Sequence, residues 1–150
     1  MRKYMQIFAI TVLVVSLLVL TACERELTGA EADFVLSLSE PLADNLMLGL
    51  VTNDYAVFSR DFDSYMQESL PSDYFADWIQ DIDSQLGNYL SREVYRVTQS
   101  DEFYVVNYRA TFELEEPVIV GFAFHIKEPH SISHIWFETD QQSWAPEPPR

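Results

Sequence analysis

Apolar residues recur at every fourth position from Phe34 through Leu38, Leu42 and Leu46 to Leu50, and Val35, Ala43 and Met47 widen the stripe; the spacing predicts an amphipathic helix from Ala30. Pro41 lies inside it, so a kinked or broken helix is expected. Thr52-Asn53-Asp54 closes the stripe. A short turn from Tyr55 to Phe58 then leads to a helix carrying Phe62, Tyr65, Met66 and Leu70. Pro71-Ser72-Asp73 stops that helix and caps the next, which sets Phe75, Trp78, Ile79, Ile82 and Leu86 on one face and ends at Gly87. Trp78 belongs to this stripe and so to the core. Asp73, Asp77, Asp81 and Asp83 fall away from it, as a solvated face does.

After Gly87 the period changes to two. Residues 90–99, 103–114, 117–127 and 131–139 read as four strands joined by short turns, a four-stranded antiparallel meander. Helices first and strands second predict an α+β domain with the N-terminal helices packed on one face of the sheet. A slip of one residue turns a whole strand over, so the pattern also predicts a register. A turn at Ser100-Asp101 puts Val97 opposite Tyr104, Tyr95 opposite Val106, Glu93 opposite Tyr108 and Tyr89 opposite Phe112 on the helix-facing side.

Glu93 would then be a carboxylate on an apolar surface, where desolvation raises a carboxyl pKa. Glu93 and Tyr108 are therefore the candidate small-molecule pocket, and Glu93 the candidate acid or base of a small pocket enzyme. The alternative is a carboxylate at an open rim, satisfied by Tyr108 or solvent. The opposite face would collect Arg92, Arg96, Asn107, Arg109, His125, Lys127, His134 and Trp136, with His125 opposite His134. Arginine and aromatic residues are enriched at binding surfaces. Arg92, Arg96, Arg109, His134 and Trp136 are accordingly the candidate interface, for a second copy or an acidic protein partner, weighed against an ordinary solvated face. His125, His130 and His134 lack a zinc-site spacing, and no phosphate loop or hydrolase elbow appears, so no metal or cofactor is implied.

Arg2 and Lys3 precede an apolar run from Ile7 to Leu20, the layout of a secretory leader and too short for a comfortable membrane span. Leu20-Thr21-Ala22-Cys23 follows, and Cys23 is the only cysteine. These four residues resemble the lipobox of bacterial lipoproteins, which implies removal of residues 1–22, acylation of Cys23 with palmitate-type chains, and a protein anchored by lipid on the extracytoplasmic side of the cell membrane. Residues 23–29 would be a polar tether, 30–139 the domain, and the proline-rich 140–150 a disordered tail. Removal of 1–22 takes two of nine basic residues and none of 24 acidic ones, leaving a net charge of −17. Nucleic acid is an unsuitable partner for such a surface, since affinity for it comes mainly from Lys and Arg.

Asn53-Asp54-Tyr55 with Phe58, then Arg60-Asp61-Phe62, Met66, Phe75, Trp78, Gly87, Tyr89, the strand from Tyr108 to Phe112, and Ile132 to Phe137 together resemble domain-of-unknown-function family 3887 of the nuclear-transport-factor-2-like superfamily. The resemblance covers roughly residues 42–137. It implies a cone, in which a curved sheet wraps around helices and often encloses a pocket. It implies no particular activity, and a non-enzymatic ligand- or protein-binding role is the leading expectation.

Overall fold

The computed structural model describes residues 24–148, so the leader, Cys23 and the last two residues of the tail lie outside the described residues. The chain is α+β. Strand β1 (Arg25–Glu26) is followed by α1 (Ala30–Thr52), α2 (Tyr55–Phe58), α3 (Ser64–Ser69) and α4 (Ser72–Leu86), and then by β2 (Tyr89–Gln99), β3 (Phe103–Phe112), β4 (Val118–His125), β5 (Ile132–Glu138) and β6 (Ser143–Trp144). The strands form one antiparallel sheet in sequence order, β1 to β6, and it does not close.

Six strands replace the four expected, because both chain ends join the sheet. Arg25 and Glu26 pair with Gln99 and Thr98, and Leu27 N–H continues the ladder to Val97 O at 2.9 Å. Leu27 is buried. The expected tether is thus an edge strand pinned by an apolar side chain. At the other end Ser143–Trp144 pairs with β5, Trp144 is buried, and its Nε1–H donates to Asp81 Oδ2 at 2.9 Å. The start of the expected disordered tail is therefore ordered, because an indole has both area to bury and a donor to satisfy.

Helix α1 runs unbroken through Pro41. By length and composition it could cross a membrane, yet Val35, Ala43, Leu46, Met47 and Leu50 are buried in the protein core. Asn53 ends it in the left-handed conformation, and the Asp54 side chain caps α2 by accepting from the N–H groups of Ala56 and Val57. Gly49 makes the α1–α2 crossing close, since a Cβ there would collide with the backbone of Phe58. Helix α4 buries Phe75, Trp78, Ile79, Ile82 and Leu86, as its stripe predicts. Trp78 packs edge-on against Phe58 and Phe137, joining helix to sheet.

Candidate functional site

The inner face of the sheet holds Tyr108, but Glu93 is not beside it. Near the turn Val97 pairs with Val106; a shift between Val94 and Arg96 then sets Val94 opposite Tyr108 and Glu93 opposite Arg109; a second shift, between Tyr89 and Ser91, restores Tyr89 to Phe112. Each bulge inserts one residue, so the segment between the two is turned over relative to the expected register. Arg92 faces inward and Glu93 outward, where it is exposed. This corrects both assignments. Glu93 has no apolar surround to make it an acid or base, and Arg92 is not part of the outer interface.

Arg92 instead binds α1. Its Nη2 donates to Glu40 Oε2 at 2.9 Å and to Asp44 Oδ1 at 2.7 Å, and the guanidinium stands 5.2 Å from the centre of the Tyr108 ring. Tyr108 O–H donates to Glu40 Oε1 at 3.0 Å. Burial works against the charge on Arg92, but hydrogen bonds to Asp44 and Tyr89 and the charge of Glu40 outweigh it and raise its pKa. Burial, and then the charge of Glu40, push the Tyr108 phenol up as well, against an opposing hydrogen bond with Ser39. A cleft of about 290 Å³ opens here, lined by Glu40, Tyr89, Arg92, Val94 and Tyr108. Glu40 and Asp44 have no place among the sequence candidates, and Tyr89 is expected on the helix-facing side without a site role. The available signal was the pair of like charges four residues apart on one helix, which is unfavourable unless a cation sits against both.

On the outer face the register aligns Glu93, Arg109, Ile119 and Glu138 in one row across β2 to β5, and Arg96, Asn107, Gly121 and Trp136 in the next. A Cβ on Gly121 would collide with the indole of Trp136 and with Asn107 Oδ1, so the absent side chain lets Trp136 lie against the sheet. Arg109 stacks on Tyr95 with its guanidinium carbon 4.1 Å from the ring centre. Among the described residues Arg109 has no carboxylate within ion-pair distance, and Arg96 has only Glu26, at 3.5 Å. A groove of about 390 Å³ runs along this surface, lined among others by Tyr95, Arg96, Asn107, Arg109, Glu138 and Asp140. Arg96, Arg109, His134 and Trp136 are thus brought onto one face, and Arg92 is not.

The histidines share that face without being opposite each other. His134 pairs with Ala123 and His125 with Phe103, whose ring contacts both imidazoles. His125 Nε2 is 2.9 Å from Asp63 Oδ2 at the N-cap of α3, and the ring of Tyr65 on that helix packs at a tilt against His134. Burial raises the Asp63 pKa, but hydrogen bonds from Met66 N–H, His125 and Ser133 outweigh it and leave it below its ordinary value. His130 Nδ1 is engaged by the carbonyl of His125.

No curated protein matches this chain, and no solved structure does either. A family model matches residues 43–127, from the middle of α1 to just beyond β4; it spans Asp44, Tyr89, Arg92 and Tyr108 but not Glu40, and the β2–β4 part of the outer groove but not Trp136, Glu138 or Asp140. The chain belongs to that family, the proteins of unknown function DUF3887.

Proposed function

We propose that this protein is a lipid-anchored domain on the extracytoplasmic side of the cell membrane that binds a protein partner through the outer face of its sheet, without enzymatic activity. The observation that carries the reading is the open array of Arg96, Asn107, Arg109 and Trp136: a guanidinium stacked on Tyr95 with no carboxylate within ion-pair distance among the described residues, beside an indole seated over Gly121. Side chains of these types, held by packing, lose little freedom when a partner covers them. Arginine and tryptophan are also the residues most often dominant in binding. We further read the fold as an open variant of the nuclear-transport-factor-2-like cone. Its support is the register shifts in β2 and β5, of the kind that bend strands, and the polar cleft left between α1 and the sheet.

The leader and Leu20-Thr21-Ala22-Cys23 support the anchor. The cleft around Arg92 supports a small polar ligand as a second role for the same domain.

The test is capture from the native membrane by the full acylated chain, in parallel with Arg109→Glu and Trp136→Ala. A partner retained by the parent chain and lost, by about tenfold or more, with both variants is the expected result. Partners captured equally by all three chains would remove the sheet face from the function.

A further inference from the structure

The outer groove is unbalanced across its width. On the β2–β3 side it carries Arg96 and Arg109; on the β5 side it carries Glu138 and Asp140, neither of which has a cation within ion-pair distance among the described residues. Arg109 and Glu138 lie in the same row but on β3 and β5, with Ile119 of β4 between them. Two strand spacings are about 9.6 Å, beyond reach of an ion pair for an arginine already stacked on Tyr95. Among the described residues Arg109 and Glu138 thus each lack an opposite charge within ion-pair distance, and their signs are opposite.

We infer that the groove is half of a symmetric site completed by a second copy of this chain, in which Arg109 of one copy meets Glu138 of the other and the reciprocal pair forms at the same time. This names the partner of the face assigned above and rests on that assignment. A twofold axis along β4 turns Arg109 on β3 of one face onto Glu138 on β5 of the other, as an isologous interface requires. Ile119 and the half-buried Trp136 fall near the middle. A foreign acidic protein would satisfy Arg109 but leave Glu138 and Asp140 facing like charge; a second copy satisfies both.

The area makes this a weak dimer. Four strands about 4.8 Å apart and seven residues long present roughly 440 Å² of flat face, against ~800 Å² per partner for a standard interface. Association in the micromolar range or looser suits a protein whose lipid anchor confines it to a surface, where effective concentration is high. Copies of net charge −17 repel at long range, so dimerisation should strengthen as salt first screens that repulsion.

The experiment is sedimentation equilibrium of the chain beginning at Glu24, which keeps every buried core residue from Leu27 to Trp144. The parent chain should show a concentration-dependent monomer–dimer equilibrium. Arg109→Glu and Glu138→Arg should each weaken it about tenfold, and the double variant should restore it to within about threefold, because both reciprocal pairs are then re-formed with signs exchanged. Circular dichroism confirms that each variant is folded. A parent chain that stays monomeric at every concentration and salt level overturns the inference, as does a double variant no better than the worse single one. If the parent is monomeric while membrane capture of another protein still depends on Arg109, the second copy is excluded and the sheet face stands.

Discussion

Asp63 shows how one residue can connect elements distant in the chain. It caps α3 by accepting from Met66 N–H at 2.7 Å, and its other oxygen pairs with His125 on β4 at 2.9 Å. These bonds favour the ionised carboxylate, so its pKa in the folded protein is below the unfolded value. The stabilisation is therefore complete above the ordinary carboxylate range and is lost as pH falls through the depressed folded value. Asp63→Asn should therefore cost about 1–3 kcal/mol near neutral pH. The cost should shrink in acid, where the parent loses the same interaction. Urea unfolding of both chains across that range checks this, and a difference independent of pH would mean that the charge of Asp63 does not matter.

Among the elements, the two short edge strands carry the largest departures from expectation. A disordered tail could be removed at no cost, whereas truncation after Gln142 deletes β6, exposes the surface under Trp144 and leaves Asp81 without its indole donor. Loss of a buried tryptophan costs about 3 kcal/mol or more. Thermal unfolding of the truncated chain should therefore show a clear drop in midpoint, and an unchanged midpoint would return the tail to the disordered class. Strand β1 has the same character at the other end. Its two paired residues have little energy of their own, and buried Leu27 and the Leu27–Val97 bond fasten the segment.

For the whole molecule, β1 alters what an anchor at Cys23 would do. Glu24 already accepts a hydrogen bond from Thr98, one residue after the cysteine. The domain would then be held within a residue or two of its lipid, with the β1 end of the sheet toward the bilayer. Fatty chains contribute about 0.8 kcal/mol per buried CH₂, and stable attachment takes more than one such chain. Cells making Cys23→Ala should therefore release the domain on fractionation or accumulate a precursor that still carries residues 1–22. A variant that is processed normally and stays with the membrane would exclude lipid as the anchor.

The linear pattern of residues specifies the class of fold, the four main strands and the core stripe through Phe75, Trp78, Ile79 and Ile82, since these follow from local periodicity and the burial it demands. It also placed Arg96, Arg109, His134 and Trp136 on one face, because strand alternation holds wherever no residue is inserted. Contacts between distant segments set the sides taken by Arg92 and Glu93. Two bulges leave no mark in a period-two pattern, yet between them they exchange inside for outside; what fixes their place is the match of Arg92 to Glu40 and Asp44, side chains about fifty residues away. Likewise β1 and β6 are too short to have a period. They are strands because a neighbouring ladder offers them bonds and the core offers Leu27 and Trp144 a place, and both are properties of the assembled sheet rather than of the segments.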